Sequence, residues 1–104
     1  MSNNYNVKQT PLSEEDLDNI LAYIALDNMD AALMMLEKFS KSFEKLSEYP
    51  FSGSPIDDKN LRIKGYKKMI VEPSYIIIYF PNVETNNVNI LRIFNMNMDY
   101  VDEL

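Results

Sequence analysis

The chain has 104 residues and a mass of 12.1 kDa, with 46% apolar and 25% charged side chains, the balance of one globular domain over residues 1–104. It holds neither Cys nor His, which excludes disulfides, thiolate nucleophiles, Cys/His zinc sites and a Ser-His-Asp triad. The net charge of −6 argues against general nucleic-acid affinity, yet Lys59, Arg62, Lys64, Lys67 and Lys68 fall within ten consecutive residues that contain no acid.

The N-terminus is polar and has no signal-peptide core. The longest apolar runs, 31–36 and 75–80, have six residues, against about 20 for a membrane span. The cytoplasm is therefore the expected location, with no membrane contact.

Residues 4–10 alternate weakly, with Tyr5 and Val7 on one face, and predict a short strand that Pro11 stops. Ser13 can cap a helix whose first turn holds Glu14, Glu15 and Asp16, where the helix dipole favours acids. Leu17, Ile20, Leu21 and Ile24 give it one apolar stripe over 14–26. Asp27-Asn28 supplies a break and a second cap. The next helix is predicted over 29–48, with the stripe Ala32, Met35, Leu36, Phe39, Phe43 and Leu46. So short a connection predicts an antiparallel helical hairpin.

Residues 49–55 carry two Pro and a Gly and read as a loop. Beyond it the period becomes strand-like. Residues 61–64 read as a short extended piece and 67–72 as a strand. Residues 75–80 are β-branched and aromatic throughout, as in a central strand covered on both faces and ended by Pro81. A polar turn over 83–87 leads to a last strand over 88–95, and the tail over 96–104 has the pattern of one helical turn. The fold class is α+β, ordered β-α-α-β-β-β, with the hairpin on one face of one antiparallel sheet.

Few residues suggest chemistry. Glu14, Glu15, Asp16 and Asp18 diverge around a helix, so dipole compensation accounts for them better than a metal site. Met34 and Met35 read as core filler, while Met96 and Met98 pack against the body or a partner. Alternation in the last strand puts Val88, Ile90, Arg92 and Phe94 on one face, with Leu91 and Ile93 on the other. An Arg there needs a carboxylate, a phosphate or solvent; an internal pair with an acid such as Glu72 is the simplest case.

The ordered blocks resemble the RelE/ParE superfamily of type II toxin–antitoxin and plasmid-stabilisation modules. They are Tyr5 and Val7, Asp16-Leu17-Asp18-Asn19-Ile20, Tyr23-Ile24, Ala31-Ala32, Leu46, Pro50, Gly53, Leu61-Arg62-Ile63-Lys64-Gly65-Tyr66-Lys67-Lys68, Tyr75-Ile76-Ile77-Ile78-Tyr79 and Ile90-Leu91-Arg92-Ile93. The resemblance implies growth inhibition, a cognate antitoxin partner and no cofactor. It offers two activities, poisoning of DNA gyrase by binding and ribosome-dependent cleavage of mRNA. A decayed member that only binds its partner is a further alternative. In the family's glycine-tyrosine-arginine block this chain has Gly65-Tyr66-Lys67, which preserves charge. Ile76 stands where a basic residue is common. Arg92-Ile93-Phe94-Asn95 replaces an Arg-Ile-X-His ending, and Met96, Asn97 and Met98 replace further basic residues.

RNA cleavage requires a base, an acid and cations. Under that reading Lys64, Lys67, Arg92 and Tyr100 would be the catalytic residues. The missing imidazole and the net acidity favour the ParE-like alternative, in which the chain binds a protein target such as gyrase and is not itself an enzyme. Lys59, Arg62, Lys64, Lys67, Lys68 and Arg92 are then candidates for target or phosphate contact. Met96, Met98 and Tyr100 are candidates for the rim of an antitoxin groove.

Overall fold

In the computed structural model, which describes residues 4–97 and 104, a two-helix hairpin lies across a five-stranded sheet. The elements are β1 (Asn6–Gln9), α1 (Pro11–Asp27), α2 (Met29–Glu48), β2 (Ser54–Pro55), α3 (Lys59–Ile63), β3 (Lys67–Val71), β4 (Tyr75–Asn82) and β5 (Asn87–Asn95). Among the described residues no helix is long and apolar enough to cross a membrane. The tail's predicted helical turn falls mostly on residues 98–103, outside the described residues.

The helices form where the stripes place them, but α1 begins earlier than its acids suggest. Thr10, not Ser13, is its N-cap: the Thr10 hydroxyl accepts the Ser13 N–H at 3.1 Å, and Pro11 occupies the first turn, where its missing N–H costs nothing. Ser13 is fully buried and donates its hydroxyl to the Thr10 carbonyl at 2.9 Å. Asn28 caps α2 as its position predicts, its Oδ1 accepting the Ala31 N–H at 3.1 Å.

The buried α2 stripe is Ala32, Met35, Phe39 and Leu46, with Phe43 packed at its edge. Leu36 is 40% exposed and Met34 63% exposed, contrary to their expected place in the core. Leu36 belongs to a second apolar line, Met29, Leu33 and Leu36, at i, i+4, i+7 on the flank turned away from the sheet. Leu17 of α1 is buried, while Ile20, Leu21 and Ile24 pack partly exposed against the same core.

The strand order is β1-β5-β4-β3-β2. The sheet is mixed, not wholly antiparallel: β1 runs parallel to β5, from Asn6 opposite Asn87 to Gln9 opposite Ile90. Central β4 is buried along Ile76–Tyr79, as its apolar run predicts. Its alternate residues face two cores. Ile77 and Tyr79 join Leu17, Met35, Phe39 and Leu46 under the helices, and Ile76 and Ile78 join Ile56 and Phe94 on the other face. Pro81 does not end β4. It is paired opposite Val88, and β3 covers β4 only as far as Tyr79, so no β3 ladder bond is required of the proline nitrogen.

The second core has its own cover. Residues 59–63 form the single-turn helix α3, which takes in most of the piece over 61–64 expected to be extended. Asp58 caps it, accepting the Leu61 N–H at 3.0 Å. Gly65 ends it at φ 94°, a conformation glycine adopts without strain. The Gly65 N–H bonds to the Arg62 carbonyl at 3.0 Å and the Tyr66 N–H to the Leu61 carbonyl at 3.2 Å. This is a Schellman turn, and its usual apolar contact is present in Leu61 and Tyr66, which both pack on the second core.

Candidate functional site

The last strand changes register where the site forms. Ile78 pairs with Arg92 but Tyr79 pairs with Ile90, so Leu91 is an extra residue in β5. The bulge switches which face each side chain takes. Val88 and Ile90 lie under the helices, and beyond the bulge Ile93 does so, while Leu91 and Phe94 turn to the second core. Plain alternation, which grouped Arg92 and Phe94 with Val88 and Ile90 and set Ile93 with Leu91, therefore fails from the bulge onward.

β1 accompanies β5 only to Ile90, so the β5 edge from Leu91 onward needs other partners. The start of α1 supplies them. The Thr10 hydroxyl donates to the Leu91 carbonyl at 2.8 Å, and Asp16 Oδ2 accepts the Ile93 N–H at 2.9 Å. The same carboxylate takes Arg92 through two charge-assisted bonds, from Nε to Oδ2 at 2.8 Å and from Nη2 to Oδ1 at 3.0 Å. The guanidinium also lies 4.6 Å from the Phe94 ring centre, within cation–π range. Among the described residues Arg92 is thus paired with Asp16 and not with Glu72, and Asp16 does more than offset a helix dipole.

Beside this pair a cleft of about 310 Å3 opens between the start of α1, α3 and β5. Its walls include Leu12, Leu61, Tyr66 and Leu91, with Thr10 at the α1 end. Lys64 and Arg92 are its cations, and Leu104 also lies along it. The Schellman turn sets Lys64 and Tyr66 at the rim.

The remaining basic residues do not converge there. Lys59 is exposed at the start of α3. Arg62 is spent on the preceding loop, its Nη1 donating to the carbonyls of Ile56 at 3.4 Å and Asp57 at 3.1 Å. Lys67 sits opposite Tyr79 and Lys68 opposite Ile78, so they take opposite sheet faces. Lys68 Nζ is 4.0 Å from Asp57 Oδ2. Met96 is exposed, and Met98 and Tyr100 lie outside the described residues.

Sequence reasoning passed over Thr10, Leu12, Leu61, Tyr66 and Leu91 as site residues. Asp58 ahead of 59–63 and Gly65 behind it were the signals that could have found the turn and, with it, the cleft rim. A second feature is apolar. Tyr23, Leu26, Met29, Leu33 and Met34 are exposed on the hairpin, and a cavity of about 350 Å3 lined by Ile24, Met34, Met35, Lys38 and Tyr75 runs between α2 and the β3–β4 turn.

A family model described as the ParE toxin of the type II toxin–antitoxin system parDE matches residues 7–100. Among solved structures, the chain is similar to one of a chromosomal ParDE toxin–antitoxin system from P. aeruginosa. The TM-score is 0.70 at 20% identity, over 92% of this chain and 100% of that one. It is also similar to a chain of the RelBE2 toxin–antitoxin complex from Mycobacterium tuberculosis, with a TM-score of 0.59 at 22% identity, over 88% and 98%. At these identities the structural likeness shows the fold, a helical hairpin on a mixed sheet. No curated protein matches the sequence. With the family model spanning all but the ends of a chain that has this fold, the protein belongs to the ParE toxin family of type II toxin–antitoxin systems.

Proposed function

We propose that this toxin inhibits growth in the cytoplasm by binding a protein target, with DNA gyrase the first candidate, and that a cognate antitoxin neutralises it. One observation carries the preference for binding over RNA cleavage. The cleft offers the cations Lys64 and Arg92 with Tyr66 and Thr10, but its adjacent carboxylate, Asp16, is bonded to Arg92 and the Ile93 N–H. With no imidazole in the chain, no carboxylate among the described residues of the cleft is poised to take a proton from a 2′-hydroxyl and return one to the leaving oxygen. The exposed apolar line on the hairpin supports an antitoxin that covers helix surface.

The test is a pair of assays on the purified chain. Inhibition of gyrase supercoiling, with no cleavage of translated mRNA, is the expected result. Efficient ribosome-dependent cleavage of mRNA by the purified chain would overturn the proposal in favour of the interferase alternative. Co-expression with the adjacent reading frame should give a complex that survives gel filtration.

A further inference from the structure

The chain has no cysteine, so oxidant chemistry at sulfur falls to its methionines alone. Met1 and Met98 lie outside the described residues, and the others divide by burial. Met35 is buried in the core under the helices, and Met69 packs partly buried against it. Met29 and Met34 stand on α2 at 61% and 63% exposure, and Met96 is exposed just beyond β5. Met29 and Met34 lie about 140° apart around the helix. They bracket its exposed side: Met29 begins the line with Leu33 and Leu36, and Met34 lines the cavity with Ile24 and Tyr75. A partner segment that covers this side of α2 buries one thioether or both.

We propose that Met29 and Met34 are a reversible oxidation site, at which hydrogen peroxide turns the hairpin face polar and loosens the antitoxin's hold on it. The inference rests on the reading above that an antitoxin covers this helix surface. In the step, a sulfur lone pair attacks one peroxide oxygen, and the S–O bond forms as the O–O bond breaks. The departing hydroxide takes up the proton of the transferred hydroxyl and leaves as water. Sulfur gives up two electrons and peroxide accepts them, so no further reactant is needed. The product is a polar sulfoxide, which methionine sulfoxide reductases return to the thioether. In the free chain water solvates the new oxygen, so the fold tolerates it at both exposed positions. Under an apolar partner surface that oxygen loses its water, and this loss weakens the complex. Met35 is the contrast, packed in one cluster with Phe39 and Ile77, where burial keeps the oxidant away. A bound antitoxin shields the exposed sulfurs, so the oxidant acts on free chain and hinders its recapture.

The experiment exposes the free chain, and its complex with the adjacent-frame product, to dilute hydrogen peroxide and maps the added oxygen by peptide mass spectrometry. In the free chain Met29 and Met34 should oxidise about tenfold faster than Met35, and the complex should protect them. The oxidised chain should bind the adjacent-frame product about tenfold more weakly with its thermal midpoint kept, and methionine sulfoxide reductases should restore the affinity. Met29→Leu with Met34→Leu keeps the surface apolar, so this double variant should hold its affinity through the same treatment. Met29→Gln with Met34→Gln should weaken binding with no oxidant present. Three results would each overturn the proposal: unchanged affinity of the oxidised native chain, an equal loss in the leucine double variant, or oxidation as fast in the complex as in the free chain. In each of them the antitoxin reading stands. If the adjacent-frame product does not bind the native chain at all, the antitoxin reading fails and retention on a phenyl column decides the site by itself. Retention should fall on oxidation of the native chain and not of the leucine double variant, and no difference between the two would overturn the proposal.

Discussion

Removing the Asp16 carboxylate should destabilise the fold well beyond a surface charge change. Asp16 and Arg92 keep only 15% and 19% of their side-chain surface exposed, and the carboxylate accepts three hydrogen bonds of 2.8–3.0 Å. Breaking a fully buried pair from one side costs roughly 3–5 kcal/mol; water reaches part of this one, so Asp16→Ala should cost about 2–3 kcal/mol. Asp16→Asn keeps an oxygen for the Ile93 N–H and loses only the charge, so its cost should be smaller, about 1–2 kcal/mol. Urea denaturation of both variants, of Arg92→Gln and of the double mutants measures the pairwise coupling, expected at about 1 kcal/mol or more. With a slope of about 1–2 kcal/mol per molar urea, Asp16→Ala should move the midpoint by more than 1 M. A midpoint unchanged by Asp16→Ala, or zero coupling in the cycle, would refute the claim that this carboxylate holds the β5 edge.

Phe39 is fully buried and packs against Tyr75 with ring centres 5.8 Å apart, so Phe39→Ala should cost about 3–5 kcal/mol in the same assay, whereas Leu36→Ala should cost under about 0.5 kcal/mol. Gly65→Ala forces a side chain to φ 94° and puts its Cβ 3.0 Å from the Phe80 ring; a loss of about 1–2 kcal/mol by urea titration is expected, and a neutral result would contradict the turn. Burial pushes the Tyr79 phenol above its ordinary value of 10.0, with the Gly53 N–H bond a smaller opposing influence. The unfolded chain then releases this proton first, so the Tyr79 share of stability is complete below pH 10 and lost as pH rises through the folded value. Tyr79→Phe should cost about 0.5–1.5 kcal/mol at neutral pH through the lost Gly53 contact, and should flatten the alkaline fall measured by thermal melts.

What was legible in the sequence was what repeats locally. The stripes of α1 and α2 and the unbroken run of β4 span enough residues for a period to emerge, and the helical hairpin followed from a two-residue break. α3 has five residues and too few turns to show a period, so only its brackets, Asp58 and Gly65, could mark it. The parallel pairing of β1 with β5 joins segments some 80 residues apart, and nothing in either strand's pattern records direction. The bulge at Leu91 is invisible for the same reason: it is a mismatch between two strands, not a property of one. The partner of Arg92 had to be chosen among 16 acidic residues, and only the folded position of the α1 first turn makes that choice.

These non-local features also decide which substitutions can report on function. Arg92 is bound into the backbone accounting of the β5 edge through Asp16, so its replacement perturbs fold and cleft together. A loss of activity in Arg92→Ala would mix two causes that no activity assay separates. Lys64 is different. It is exposed, it caps α3 through its backbone, and its side chain reaches the cleft without holding any strand. A change of charge at Lys64 should therefore leave the urea midpoint in place while changing whatever the cleft binds. If Lys64→Glu unfolded the chain as readily as Asp16→Ala, the separation between the rim of this cleft and its supporting pair would be wrong.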